Sequence, residues 1–108
     1  MIVTKIGVDI DTCFWDALRA YLNAKHLFPD ADVRLYRTRK GYHVVIRGVN
    51  VDAWTALEIR RYLGDDPDRL YISELRARIH GKPPKDILFV SKFYGGKWHE
   101  RREIKWLE

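Results

Sequence analysis

Asp9 and Asp11 close the segment "GVDID" with one residue between them. In an extended chain alternate side chains point to the same face, and each residue advances by about 3.3 Å. The two carboxylates therefore stand side by side, at a spacing that one hard cation can bridge. Mg²⁺ or Mn²⁺ suits such a pair, because these ions take one or two protein carboxylates and fill their shell with water and phosphate oxygens. A second stretch, "RTRKGYHVVIRG", sets His43 among apolar residues, with Arg37, Arg39, Lys40 and Arg47 around it. Imidazole and guanidinium groups neutralise and hydrogen-bond phosphate oxygens. Carboxylates for a divalent ion beside cations for phosphate are what handling a nucleotide or a nucleic acid requires.

These residues work together only if the secondary structure turns them to one face. Ile2, Ile6, Val8 and Ile10 recur at period two, so residues 2–11 read as a strand covered on one side, with Asp9 and Asp11 on the other. Thr12 is placed to cap a helix carrying Phe14, Ala17, Leu18, Tyr21 and Leu22, which "FPD" ends. "DVRLYRTRKGYHVVIRG" reads as a β-hairpin turning at Arg39, Lys40 and Gly41, with Gly41 expected to supply a positive φ. Val33 and Leu35 point inward with Tyr42, Val44 and Ile46, which leaves Arg34, Tyr36, Thr38, His43, Val45 and Arg47 on the aspartate face. Asn50 or Asp52 caps a second helix, "VDAWTALEIRRYL", stopped by Gly64. Asp66-Pro67 starts a further short helix in which Ile72, Leu75 and Ile79 face one way, unless "RLYIS" is a strand. "HGKPPK" is a loop, and Tyr94, Gly95 and Gly96 turn a C-terminal hairpin.

The order is that of an α+β, ferredoxin-like or RRM-like domain, βαββαβ with an additional C-terminal β-strand. Its antiparallel sheet carries helices on one face and leaves the other open. The 108 residues suffice for one such domain and one core. The single cysteine, Cys13, excludes an internal disulfide and reads as packed beside Phe14 and Trp15. No apolar run is long enough to span a bilayer and the N-terminus lacks a signal-peptide pattern, so the expectation is a cytoplasmic protein without membrane partners. A formal net charge of +5 and a sequence pI near 9.5 favour polyanionic partners. The absence of Gln, the two Asn and the 32% of charged residues resemble a thermophile's usage. Trp15, Trp54, Trp98 and Trp106 read as core or edge packing.

In order and spacing, "IGVDID" followed by a helix, and "KGYHVVI" opening the second strand of a hairpin, resemble the first two motifs of the archaeo-eukaryotic primase and primase-polymerase superfamily. That superfamily sets a hydrophobic-DxD motif and an sxH-type motif on an RRM-like core. The resemblance covers roughly residues 4–48, with a weaker echo in "DPDRLYISELRARIHG". It implies that Asp9 and Asp11 bind Mg²⁺ or Mn²⁺ and that His43 contacts the phosphates of an incoming nucleoside triphosphate. The activity would be metal-dependent nucleotidyl transfer on DNA or RNA, as in replication. The superfamily's third motif supplies a further carboxylate, for which "YISE" offers Glu74, with Asp68 and Asp86 as alternatives. At 108 residues the chain resembles a minimal or degenerate member.

Two other readings compete. One is a non-catalytic nucleic-acid-binding or oligomerising RRM-like domain of a replication or mobile-element system. It would use Arg34, Tyr36, Arg37, Arg39, Lys40, Arg47, Arg101 and Arg102 against phosphates, and the edge of "WHERREIKWLE" to pair with a second copy. The other, an aromatic-stacking RNA-recognition module, needs Tyr42 on the open face in place of His43. A rolling-circle nickase needs a second histidine where Val45 stands.

Overall fold

The computed structural model describes residues 1–105. Three long strands come from the segments where β-branched residues alternate: β1 (Ile2–Ile10), β2 (Asp32–Arg37) and β3 (Tyr42–Asp52). With the short β6 (Arg102–Glu103) they form an antiparallel sheet ordered β1-β3-β2-β6. The helices α1 (Phe14–Leu27), α2 (Ala53–Tyr62) and α3 (Pro67–His80) and a separate hairpin, β4 (Ser91–Tyr94) with β5 (Lys97–Glu100), complete the fold.

The inward set of the strands is the expected one. Ile6, Val8, Ile10, Val33, Leu35, Val44 and Ile46 are buried against α1 and α2. Helix α1 meets the sheet through Ala17, Ala20, Tyr21 and Ala24, three of them small enough to let the helix lie close. Leu22 is on its exposed side. Residue Cys13 takes the N-cap place without a side-chain bond, and Thr12, one position earlier, gives its hydroxyl to Asp16 Oδ2 at 2.6 Å. Of the two candidate caps for α2, Asp52 is the one used, accepting from the Trp54 N–H at 3.0 Å.

The helix expected from Asp66-Pro67 forms, "RLYIS" included, with Ile72, Leu75 and Ile79 on an exposed face, and two helices follow β3 in succession. The strands depart from the expected βαββαβ in two ways. The segment "DILFV" is irregular, and the next strands pair only with each other. A ferredoxin-like sheet would place its last strand beside β1. Here β1 is an edge, and the added strand, β6, joins the opposite side through β2.

That free edge is not left bare. Gly7 N–H donates to Asp86 Oδ2 at 2.6 Å and Asp9 N–H to Asp65 Oδ1 at 2.8 Å. Arg69 Nη1 donates to Gly7 C=O at 3.0 Å and Asp66 N–H to Asp9 C=O at 2.9 Å. Side chains and one backbone amide supply what a neighbouring strand would have supplied, which matters because unpaired backbone groups are costly when buried. They also hold α3 and the segment after it against β1.

The second face of the sheet is not open as expected. His43 is 7% and Val45 1% exposed. Residues 86–88 cross it beside Gly7, so close that a β-carbon there would lie 2.4 Å from Leu88 Cδ1. Arg101 crosses it further along, 4.2 Å from the Tyr36 ring and hydrogen-bonded to His43.

Candidate metal centre and its cleft

Strand register places the sequence-derived candidates in one row: Asp9 lies opposite His43, and His43 opposite Tyr36. Tyr42 takes the other face, in edge contact with Phe14 at 5.8 Å, so the phase is the one that exposes no stacking aromatic at that position. Asp11, just past the end of β1, is exposed beside the turn that joins β2 to β3. Gly41 sits in that turn without a positive φ. Its role is proximity, since a β-carbon would fall 2.3 Å from the Ile10 carbonyl oxygen and 3.1 Å from Asp11 Cα. Thr38 locks the turn, receiving the Gly41 N–H at 3.0 Å on its hydroxyl.

The third carboxylate is Asp66, which the sequence marked only as a helix start. One oxygen from each of Asp9, Asp11 and Asp66 lies within 4.8 Å of the others. Asp66 is held there twice, by its N–H on the Asp9 carbonyl and as the N-cap of α3, accepting from Asp68 N–H at 3.1 Å. Glu74 lies elsewhere, its carboxylate paired with Arg78 at 3.2 Å and Arg61 at 3.8 Å. Asp86 is committed to Arg69 and the Gly7 N–H. Asp68 is exposed at the wall of the cleft described below. Ser73, in the "YISE" segment, bonds Arg60 and the Lys85 carbonyl.

Beneath the cluster is a charged support that sequence reading missed. Asp65 is buried between Arg60 at 2.7 Å and Arg69 at 2.5 Å, and also accepts the N–H groups of Asp9 and Asp66. Burial pushes its carboxyl above the ordinary value, while Arg69, the Asp9 N–H and Arg60 pull it back. The only sequence signal for this support was the run "GDDPD" after an amphipathic helix.

Burial and the neighbouring Asp11 carboxylate raise Asp9 to about 7, with a hydrogen bond shared between the two acids. His43 moves the other way. Burial lowers it to about 4, helped by the positive charges of Arg101, Arg69 and Lys92. Arg101 Nη1 donates to His43 Nδ1 at 3.3 Å, so that nitrogen must accept and the ring proton sits on Nε2. Nε2 faces Asp9 Oδ1 at 3.7 Å, too far for a hydrogen bond. The imidazole is therefore a neutral, oriented donor beside the acid cluster.

The remaining candidates are dispersed. Arg34 is held by Asp32 at 3.0 Å and Glu103 at 2.9 Å. Arg37 turns to the helix face over Tyr42, and Arg39 stacks on Tyr94 at 3.5 Å. Lys40 is exposed on the same turn. Arg47 lies four residues along β3 from His43, roughly 13 Å away. Among the tryptophans, Trp15 and Trp98 are largely exposed and Trp54 partly so, contrary to a packing role; Trp106 lies outside the described residues. Cys13 is exposed, not packed.

From Asp9, Asp66 and His43 a cleft of about 770 Å³ extends between α3 and residues 82–92. Arg76, His80, Lys82, Lys85 and Lys92 line its walls, and Ile72, Leu88 and Phe89 give it apolar surface. Acid at one end, cations along the sides and apolar patches between suit a ligand that is anionic, metal-binding and partly aromatic. No helix among the described residues is long and apolar enough to cross a membrane. Compared with known proteins, the chain matches no family model, no curated protein and no solved structure.

Proposed function

We propose that this chain is a divalent-metal-dependent nucleotide- or nucleic-acid-handling domain, a compact relative of the RRM-like core of primase-polymerases. The observation that carries the reading is the convergence of Asp9, Asp11 and Asp66 within 4.8 Å at one end of a cation-lined cleft. Three carboxylate oxygens form a hard donor set, and burial and the Asp11 charge raise Asp9 to about 7, an unfavourable crowding of negative charge that a bound cation would relieve. Mg²⁺ or Mn²⁺, when bound, supplies charge neutralisation at a phosphate and activation of a hydroxyl for nucleotidyl transfer. The chain's own part is to hold the ion with three aspartates, to present the His43 Nε2–H beside them, and to draw phosphates inward with Lys85, Lys92 and Arg76.

A second reading, nucleic-acid binding without catalysis, has its own support. Arg101 and residues 86–88 cover the face on which His43 lies, which limits the histidine's access to a substrate. The two readings separate in one experiment. Mn²⁺ and a nucleoside triphosphate are titrated into the wild type and into the Asp9→Ala/Asp11→Ala double variant, with nucleotide incorporation on a primed template as second readout. Metal-dependent nucleotide binding confined to the wild type supports the metal site, and incorporation supports transfer. Equal titrations for the two proteins would remove the metal reading altogether.

A further inference from the structure

Helix α3 is apolar on two opposite sides. Leu70 and Ala77 are buried against the rest of the fold, whereas Tyr71, Ile72, Leu75 and Ile79 lie on the outward side, between 41% and 68% exposed. Tyr71 and Ile72 stand one turn before Leu75 and Ile79 one turn after it, so the four form one contiguous stripe. The outward side of a helix ordinarily carries charge. These four side chains instead expose roughly 400 Å² of largely apolar surface, the size at which such a patch marks an interaction site.

The ends of the stripe say what fits it. Asp68 stands four residues before Ile72, and Lys82 three residues after Ile79, held to the last turn by its N–H on the Ala77 carbonyl at 3.1 Å. Positions 68, 72, 75, 79 and 82 thus repeat at intervals of four and three, the spacing of a seam between paired helices. Neither Asp68 nor Lys82 has an ion-pair partner among the described residues. The nearby Glu74, by contrast, is taken by Arg78 and Arg61. A stripe with a free acid at one end and a free base at the other complements itself when turned around. In that arrangement Asp68 of each copy meets Lys82 of the other, Ile72 meets Ile79, and Leu75 meets its own counterpart. A polyanion or a parallel helix would leave Asp68 facing like charge.

We infer that α3 is the contact surface for a second copy of this chain, the two helices packing antiparallel about a two-fold axis at Leu75. Such a contact is self-complementary, as a two-fold interface must be. With its charged rim the buried total reaches roughly 1,000–1,200 Å², the lower end of specific interfaces, so association is weak. Asp68 and Ile72 also line the cleft, so the second copy borders it and brings its own Lys82 to the Asp68 wall.

Sedimentation equilibrium of the full chain in EDTA tests the contact independently of the metal site. Wild type is expected to pass from monomer to dimer with a Kd on the order of 10–100 µM. Leu75→Arg sets two like charges on the axis and should weaken the dimer at least roughly tenfold, with an unchanged circular dichroism spectrum because the position is outward. Asp68→Lys and Lys82→Asp should each weaken it about fivefold, and the double variant Asp68→Lys/Lys82→Asp should return to within about threefold of wild type. That recovery is a readout which loss of helix stability would not produce. A chain that stays monomeric to millimolar concentration overturns the proposal, as does a dimer that Leu75→Arg leaves intact, which would move the contact to the β4–β5 hairpin. A dimer lost with Leu75→Arg but not restored by the double charge swap overturns the antiparallel pairing.

Discussion

Asp9 and His43 face one another across the β1–β3 ladder, and folding moves their protons in opposite directions. His43 has a folded value of about 4 against an ordinary 6.5, so between these pH values the unfolded chain binds the extra proton. Its contribution to stability is complete above about 6.5 and is lost as pH falls through 4. Asp9 has a folded value of about 7 against an ordinary 3.8, so there the folded chain binds the extra proton. Its contribution is complete below about 3.8 and is lost as pH rises through 7. The two slopes oppose each other, and the metal-free wild type should be nearly flat in stability between about pH 4 and 6.5. Urea unfolding in EDTA across that window checks the balance in two variants. His43→Gln leaves the Asp9 slope, so stability falls as pH rises; Asp9→Asn leaves the His43 slope, so it climbs. A change of about 1–3 kcal/mol across the window is expected for each, reduced from the full linkage value because Asp9 is partly solvated. A flat profile in both variants would mean that neither group is perturbed. At the same scale, Asp66→Asn should weaken Mn²⁺ binding roughly 10- to 100-fold by calorimetry, while Glu74→Gln leaves it unchanged.

Why Asp66 could have been found in the sequence, and was not, is a matter of how elements run. Strand β3 is antiparallel to β1, and a helix that follows β3 and packs back on the sheet must end where β1 ends. The residues after α2, Gly64 to Asp66, are thereby delivered to Asp9 by topology alone, as the bond from Asp66 N–H to Asp9 C=O records. The "YISE" segment lies further along α3, whose second turn carries Glu74 toward Arg61 and away from Asp9. Period-two alternation did place Asp9, His43 and Tyr36 on one face, because burial of Ile6, Val8, Val44 and Leu35 dictates the phase. It could not reveal that "DILFV" stays irregular, since that depends on the Asp65, Arg69 and Asp86 side chains meeting the edge of β1 instead of a strand. Two substitutions examine these supports. Asp65→Ala leaves Arg60 and Arg69 facing each other with no acceptor between them, and a loss of about 3–5 kcal/mol in unfolding free energy is expected. Gly41→Ala drives a methyl group into the Ile10 carbonyl, for which about 1–3 kcal/mol is expected, with weaker Mn²⁺ binding as the turn moves off Asp11. Should Gly41→Ala match wild type in both measurements, proximity is not why glycine stands there.

Across the whole molecule, apolar burial and charge are divided unequally. The core lies between α1, α2 and one face of the sheet, whereas the C-terminal third is held by polar latches such as Asp86 on Arg69 and Arg101 on His43. Residues 82–105 contain seven of the basic side chains against three acidic ones, close to the whole net charge of +5. They also expose Ile87, Phe89, Val90, Phe93, Tyr94 and Trp98. In the β4–β5 hairpin Phe93 and Trp98 meet edge to face at 5.5 Å, and both are largely exposed, Trp98 at 67%. A two-stranded hairpin without a buried face is marginal in water. Stability should therefore be graded along the chain, with native-state hydrogen exchange as the measure. Amides of β1 and β3 that bond each other are expected to exchange only through global unfolding. Those of β4 and β5 should exchange through local opening, about a hundredfold faster or more, because opening the hairpin exposes almost no further apolar area. The result that contradicts this is informative in its own right. Hairpin protection equal to that of β3, and rising with protein concentration, would mean that Phe93 and Trp98 are covered in solution by a second copy. The same protection appearing only on addition of a single-stranded oligonucleotide would make the hairpin part of the nucleic-acid surface.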